Sequence, residues 1–381
     1  MTVDSLLAAG IKDAGHVRTL QEILQQPATW LDTCDRLLAA QSRLKERLAG
    51  IDSLVLSGSG SSQFAGECVR QVLQRELDMG VETVGGGALL THGAAAISPA
   101  RPSLVVSLAR SGNSPESVGA VSLLLDAEPD VRHLAITCNG EGELAREHRD
   151  RVESVILDPR TNDRSLVMTS SFTNLVLAAR FLGLLDRPER YRGLCRALSQ
   201  SCEQVLARHF DTLERVGRMR FDRVVYLVGG PDRGAARECG LKMLEMTAGR
   251  VATLPETYLG LRHGPMSFID DRTLVVCFLS SHPHLREYES DLIRELNRKK
   301  LGAMKLIAGE RIDGGLLVSG DMPLEVAADD DAPVIQVVIG QLLAFFRCLQ
   351  EGLKPDSPSE NGVISRVVEE FPIYRRDGSK Q

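Results

Sequence analysis

The feature that most constrains the fold of this chain is a regular alternation of short apolar segments with helical segments. Five apolar segments in the first part of the chain are predicted strands, at 53–57, 81–84, 103–108, 133–137 and 154–157. Strands that alternate with helices are typical of β-α-β units, whose parallel strands form one sheet. Helical spacing of leucine and isoleucine predicts helices within residues 1–50, before the first strand. The sequence therefore predicts an α/β protein.

The alternation starts again in the second half of the chain. Strands are predicted at 224–228, 274–279 and 304–307, with 324–326 as a candidate fourth strand. Helices are predicted at 165–185, at 194–216, from about 232, at 285–299 and at 334–353. We interpret this as a duplication of one α/β plan. The predicted organisation is an N-terminal helical segment (1–50), two α/β domains (51–214 and 215–353) and a C-terminal tail (354–381).

Composition narrows the class of protein. A length of 381 residues allows two domains, and 43% hydrophobic with 25% charged residues is typical of a soluble globular protein. The net charge of −6 and the lack of a Lys/Arg block argue against a nucleic-acid partner. The sequence predicts no signal peptide, and no apolar run approaches the roughly 18 residues expected of a membrane span. Eight scattered cysteines without a CxxC pair indicate buried thiols in a reducing cytoplasm rather than a zinc site.

Two Ser/Gly loops, each directly after a predicted strand, are the clearest chemical signal. The first runs from Ser57 to Ser62, and the second contains Arg110, Ser111 and Ser114. Glycines let the backbone approach a ligand, while helix N-terminal N–H groups and hydroxyls donate hydrogen bonds to an anion. Because neither loop contains a lysine, they suit a sugar phosphate better than a nucleoside triphosphate. Arg110 is a further candidate phosphate ligand, since a guanidinium binds phosphate with two hydrogen bonds.

The predicted second domain carries charged residues that could do acid–base chemistry. Lys242 and Glu245 share one face of a predicted helix, and Glu238 lies four residues before Lys242. A solvated ion-pair face explains that spacing, whereas the surrounding leucines and methionines favour partial burial. His263 precedes a Gly-Pro turn in a loop at a sheet edge, which makes it a candidate general acid or base. The segment 229–234 is interpreted as a packing turn, and the histidines at 282 and 284 as a surface loop rather than a metal site.

Taken together, the motifs resemble a known family. The segments 58–62, 109–117, 168–174 and 259–265, with 354–356 and 366–368, look like those of tandem sugar isomerase (SIS) domains. The arrangement is similar to the isomerase half of glucosamine-6-phosphate synthase. It resembles most the AgaS-type enzymes, known as tagatose-6-phosphate ketose/aldose isomerases or galactosamine-6-phosphate deaminase/isomerases. The resemblance implies two SIS domains, each a parallel-sheet α/β sandwich of flavodoxin-like character.

The resemblance also implies roles for individual residues. Phosphate contacts are implied for four hydroxyls, those of Ser61, Ser62, Ser111 and Ser114, and a sugar or phosphate contact for Ser170 and Ser171. Glu245 matches the carboxylate that transfers the proton, with Lys242 beside it. His263 matches a ring-opening histidine that reaches into the partner subunit's site. Two positions depart from the synthase pattern, because Ala109 replaces a serine of the second loop and Arg366 lies nearest to the position of a C-terminal lysine.

The implied activity is conversion of galactosamine 6-phosphate to tagatose 6-phosphate and ammonia. The same chemistry on glucosamine 6-phosphate, simple isomerisation of an unaminated sugar phosphate, and a non-enzymatic sugar-phosphate sensor are the alternatives. A carboxylate that moves a proton between C1 and C2 requires no metal and no organic cofactor. We further expect a cytoplasmic homodimer or larger oligomer with active sites shared across the interface, and no nucleic-acid or membrane partner.

Overall fold

The computed structural model describes residues 15–230, 232–302, 304–309, 320–324 and 329–374. Three helices come first, α1 (Val17–Leu24), α2 (Gln26–Ala39) and α3 (Gln41–Leu48). The elements of the first sheet follow: β1 (Ser53–Gly58), α4 (Ser61–Glu67), α5 (Arg70–Leu77), β2 (Gly80–Gly85), α6 (Gly86–His92), β3 (Ser103–Ala109), α7 (Pro115–Ala127), β4 (Val131–Thr137), α8 (Glu143–Arg146) and β5 (Val152–Ile156).

Two helices come next, followed by the elements of the second sheet. The helices are α9 (Ser170–Phe181), which ends in a 3₁₀ turn, and α10 (Pro188–Gly217). The remaining elements are β6 (Arg223–Val228), α11 (Gly234–Met246), β7 (Ala252–Thr257), β8 (Thr273–Phe278), α12 (Pro283–Arg298), β9 (Met304–Gly309), β10 (Gly320–Pro323) and α13 (Ala332–Gln350).

Both sheets are parallel and share one strand plan, as the predicted fold class requires. The first has the order β2-β1-β3-β4-β5, and the second, taken from its other edge, has the order β7-β6-β8-β9-β10. Every residue of the inner strands β1, β3 and β8 is buried. Strands that are buried on both faces are expected in parallel sheets, because the crossover helices cover the faces. The predicted class, two parallel α/β units with flavodoxin-like strand order, is confirmed.

Two details of the second sheet differ from the prediction. The strand β7 was not predicted, because Pro255 and its polar neighbours do not form an apolar run. β7 lies at the edge of the sheet, where a proline costs no ladder hydrogen bond on the open side. The candidate strand 324–326 is wrong at Leu324, since the described strand is β10 and ends one residue earlier. Positions 325 and 326 lie outside the described residues.

The chain divides into two compact units, each built from three stretches. The first unit contains the first sheet and consists of residues 28–164, 170–195 and the tail from 362 to 374. The second unit contains the second sheet and consists of the described residues within 15–27, 165–169 and 196–361. Within the first unit, Trp30 of α2 donates a 2.9 Å hydrogen bond to Thr173 of α9. The predicted boundaries at 50, 214 and 353 stay a prediction.

One helix corrects the expectation about apolar runs. Among the described residues, α13 alone is long and apolar enough to cross a membrane, with a mean hydropathy of 1.7. However, 83% of that helical window is buried inside the protein, as in a core helix. α13 packs against α11, and a Cβ at Gly340 would lie 2.3 Å from Cys239 Sγ. The apolar surface of α13 is thus largely buried within the chain.

Candidate active site

Two serine loops follow neighbouring strands at the carboxyl edge of the first sheet. β1 and β3 pair in parallel with Ser57 opposite Ser107, so the loops that follow them leave the sheet side by side. The strand order reverses at this pair, because β2 lies on one side of β1 and β3 on the other. Open parallel sheets bind ligands at such a reversal. The structure therefore brings the four predicted phosphate ligands to one edge: Ser61, Ser62, Ser111 and Ser114.

Glycines and a neighbouring loop give the two serine loops their shape. A Cβ at Gly58 would lie 2.6 Å from Ser62 Cβ, so only glycine permits this approach of strand and helix. Gly112 has a φ of +67°, in the left-handed region that glycine adopts without strain. The Asn139 side chain donates a 2.8 Å hydrogen bond to the Ser111 carbonyl. The second loop is thus held in place from the adjacent strand β4.

The two candidate arginines meet each other at this edge. Arg110 is 8% exposed, and its Nη2 donates a hydrogen bond to the carbonyl oxygen of Arg366. The Arg366 guanidinium donates to Asn162 Oδ1 (2.5 Å) and to the Asp163 carbonyl oxygen (2.7 Å). The tail therefore reaches the second serine loop through its backbone, while two nitrogens of the Arg366 side chain bind the protein itself. Direct contact of either guanidinium with substrate stays a prediction.

Ser170 and Ser171 have a structural partner that the sequence did not suggest. Both side chains are completely buried at the start of α9. Ser170 Oγ donates to one oxygen of the Asp163 carboxylate, and Ser171 donates to the other from its Oγ (2.6 Å) and its backbone N–H (2.8 Å). These bonds cap the helix, and they use the donors that the prediction reserved for the sugar or phosphate. In this structure the two serines stabilise α9, and their contact with substrate stays a prediction.

The charged face of α11 is buried, which decides between the two interpretations of its spacing. The Lys242 side chain is 1% exposed and that of Glu238 is fully buried. Lys242 Nζ lies 3.3 Å from Glu238 Oε1 and 2.5 Å from Glu245 Oε2. Glu245 is 22% exposed and lies in the last turn of the helix, on the same face as Glu238 and Lys242. A buried ammonium thus holds a carboxylate that solvent or a ligand can reach.

Within one chain, Glu245 and His263 lie at opposite ends of the strands of the second sheet, Glu245 towards the amino ends and His263 towards the carboxyl ends. Glu245 ends α11, the helix that leads back to the start of β7. His263 is exposed and follows the other end of β7, after a 3₁₀ turn at Gly260–Arg262. A six-residue strand spans about 20 Å, which separates the two edges by a similar distance. The two predicted catalytic groups therefore do not meet within one subunit.

Comparison with known proteins identifies the family of the chain. A family model, the SIS domain, matches residues 47–184. The D-galactosamine-6-phosphate deaminase AgaS of Escherichia coli is 35% identical over 368 residues, covering 93% of this chain and 95% of that protein. The protein of the same name from Shewanella sp. (strain ANA-3) is 34% identical over 380 residues, covering 97% and 95%. This chain belongs to the AgaS family of SIS-domain proteins. The predicted resemblance is confirmed.

A solved structure supports the same assignment. The crystal structure of tagatose-6-phosphate ketose/aldose isomerase from Escherichia coli superposes on this AgaS-family chain with a TM-score of 0.83. That protein is 33% identical, and the match covers 91% of this chain and 96% of the other. The match confirms that both sheets belong to one SIS-type architecture rather than to two unrelated domains.

The AgaS-family chain also contains a buried carboxylate, Glu289, that sequence reasoning missed. At the carboxyl edge of the second sheet, Glu289 of α12 accepts hydrogen bonds from the Ser280 backbone N–H (2.9 Å) and Ser280 Oγ (2.5 Å). A Cβ at Gly229 would lie 2.2 Å from Glu289 Oε1. Burial raises the pKa of Glu289, while the hydrogen bonds from Ser280 limit the rise. Ser280, which follows β8, thus binds a carboxylate of the chain itself.

The missed residues had weak signals. Ser280 and Ser281 directly follow a predicted strand, which is the pattern that identified the first pair of loops. Asp163 lies seven residues before Ser170, too far for a standard helix cap, so its role depends on how the intervening chain folds. The cysteines agree with expectation, since seven of the eight are buried. Burial raises the pKa of Cys138, close to Arg110 and Asp163, to about 12, so that thiol stays protonated.

Proposed function

We propose that this protein is an amino-sugar phosphate deaminase/isomerase that converts galactosamine 6-phosphate and water to tagatose 6-phosphate and ammonia. The observation that carries the proposal is the Glu245 carboxylate, accessible at the end of α11 and held 2.5 Å from a buried lysine. An accessible carboxylate with a fixed orientation suits proton transfer at carbon. The full-length likeness to AgaS proteins named as D-galactosamine-6-phosphate deaminases supports the choice of substrate.

The reaction begins with binding and ring opening. In the proposal, the serine loops of the first unit bind the 6-phosphate, and this remote binding energy orients the reacting carbons. His263 opens the pyranose by moving a proton between O1 and the ring oxygen, a role that suits an imidazole because one ring nitrogen can donate a proton while the other accepts one. The product of this step is the open-chain aldehyde with an amine on C2.

Proton transfer and hydrolysis complete the reaction. Glu245 removes the proton from C2 while O1 takes up a proton from solvent, which gives an enolamine. Glu245 then returns its proton to C1, and the amine gives up one proton to solvent as the C2=N bond forms. Lys242 holds the Glu245 carboxylate in place and stabilises its charge before the first transfer and after the second. The C1 aldehyde has then become an alcohol, and C2 has become a ketimine. Water adds to the ketimine and ammonia leaves, so that the ketose remains. Atoms balance without a redox partner, and no step calls for a metal or organic cofactor.

We further propose that the active protein is at least a homodimer. Its support is the placement of Glu245 and His263 at opposite edges of one sheet, since a single subunit then lacks one of the two groups at each site. Mixing two inactive variants, Glu245→Gln and His263→Ala, should restore part of the activity, because mixed dimers contain one intact site. If the mixture remains inactive after subunit exchange, the shared site is wrong.

The experiment that tests the activity measures ammonia and ketose phosphate in the same samples. Galactosamine 6-phosphate and glucosamine 6-phosphate are supplied in parallel, and equal amounts of both products from galactosamine 6-phosphate support the proposal. Products from glucosamine 6-phosphate alone would favour that substrate instead. Glu245→Gln should lower kcat about 1000-fold, because it removes the base and keeps the shape. The exposed Glu287→Gln on α12 is the matched control and should retain activity. Unchanged ammonia release by Glu245→Gln would refute the assigned base.

A second candidate is isomerisation without loss of ammonia. It is favoured by the Escherichia coli crystal structure, which carries the name tagatose-6-phosphate ketose/aldose isomerase. The same assay separates the two reactions, because a plain isomerase forms ketose from unaminated aldose phosphates and releases no ammonia. Discrimination between the galacto and gluco epimers depends on pocket contacts at one carbon, which the parallel substrates measure directly.

A further inference from the structure

Within the first unit, the tail segment 362–374 contacts the second serine loop. Arg366 both accepts and donates hydrogen bonds in this tail contact. Its carbonyl oxygen accepts from Arg110, and its guanidinium donates to Asn162 Oδ1 and to the Asp163 carbonyl oxygen. Asn162 and Arg366 are 204 residues apart in the chain. Three hydrogen bonds therefore join the tail, the loop after β5 and the loop after β3.

The tail contact holds one nitrogen of the buried Arg110 guanidinium. Arg110 is 8% exposed and directly precedes Ser111 of the second serine loop. A guanidinium is planar, and a hydrogen bond at one nitrogen sets the plane of the other donors. The carbonyl that accepts this bond is held in place because the Arg366 side chain is bound. Asn162 is half-buried, and its side-chain oxygen accepts a hydrogen bond from the Arg366 guanidinium.

We propose that Asn162 is a positioning residue for phosphate binding. It holds Arg366, and the Arg366 carbonyl in turn orients Arg110 for the phosphate of the substrate. The inference rests on the proposed function in one respect, since it takes the second serine loop and Arg110 as the phosphate site. Asn162 itself contacts neither the phosphate nor the reacting carbons in this proposal, and Arg366 serves as a link rather than as a substrate ligand.

The test compares three variants with the wild-type protein. Asn162→Ala removes the acceptor, Asn162→Asp keeps an oxygen in the same place, and Asn361→Ala removes an exposed asparagine of the adjoining segment as a control. Thermal-shift titration with inorganic phosphate gives a dissociation constant that does not depend on catalysis. We expect about tenfold weaker phosphate binding for Asn162→Ala, and values within twofold of wild type for the other two. Steady-state kinetics should show the same rise in KM with kcat within twofold.

A second measurement follows the tail directly. Trypsin cleaves after arginine, and the fragment mass identifies cleavage at Arg366. Release of the tail in Asn162→Ala should speed this cleavage several-fold, whereas Asn162→Asp should retain the wild-type rate. Unchanged phosphate binding or unchanged cleavage in Asn162→Ala overturns the proposal. If the wild-type protein binds phosphate and yields neither ammonia nor ketose, the proposed function fails, while the comparison of phosphate affinities still decides the role of Asn162.

Discussion

Replacing Lys242 with methionine should destabilise the second unit strongly, because it leaves the fully buried Glu238 carboxylate without its ammonium partner. Methionine has nearly the same length and shape, so the change removes charge more than volume. The two groups are 3.3 Å apart, and the exposed fractions of their side chains are 1% and 0%. At an effective dielectric constant of about 20, their attraction is worth about 5 kcal/mol. Removal of one partner from a buried pair costs about 3–5 kcal/mol.

The free energy of unfolding is measured by urea denaturation followed by far-UV circular dichroism. Lys242→Met should lower it by about 3–5 kcal/mol, which corresponds to a fall of about 10 °C in Tm for a unit of this size. The matched control is Lys299→Met, since Lys299 makes a 2.6 Å ion pair with Glu295 and is 52% exposed. That exposed pair should contribute less than about 1 kcal/mol.

A double variant separates charge from packing. Glu238→Gln with Lys242→Met removes both charges, so at least half of the lost stability should return while activity stays low because Glu245 has lost Lys242. Two results would show that the buried ion pair does not stabilise α11. One is a loss of less than about 1 kcal/mol in the free energy of unfolding of Lys242→Met, and the other is a double variant no more stable than the single one.

Three further predictions concern stability. Burial, with the nearby charges of Arg151 and His148, lowers the pKa of His133 to about 4. As the pH falls, His133 therefore becomes protonated in the unfolded chain before it does in the folded chain. The free energy of unfolding should fall by about 2 kcal/mol from pH 7 to pH 5. His133→Leu should remove that part of the pH dependence, as measured by urea titrations. Gly340→Ala should lower Tm, because the added methyl group would clash with Cys239 of α11. Gly193→Ala in α10 should raise Tm slightly, because its Cβ would meet open space. Equal shifts in Tm for the two variants would contradict the close packing of α13 against α11. Gly229→Ala should also destabilise, and less so in a Glu289→Ala background, because the carboxylate that it meets is then gone.

Much of the fold follows from local pattern. The apolar runs that became β1, β3, β4 and β8 are continuous and buried, and such runs between helices leave few alternatives to a parallel sheet. β7 escaped prediction because an edge strand needs no apolar face on both sides and tolerates Pro255. The serine loops were also evident, since their glycines and hydroxyls are consecutive in the chain and their role depends mainly on the strand that precedes them.

The sequence alone determined the α/β class, the duplicated strand plan, the loops after β1 and β3, and the grouping of Lys242 with Glu245, because each can be read from short local patterns along the chain. The tertiary structure decided whether those charges are solvated or buried, that Asp163 rather than a ligand receives the hydrogen bonds of Ser170 and Ser171, and that Arg366 binds Asn162. These outcomes depend on contacts between distant segments and on exclusion of water. Burial and long-range hydrogen bonding are properties of the packed chain, and no local spacing of residues specifies them.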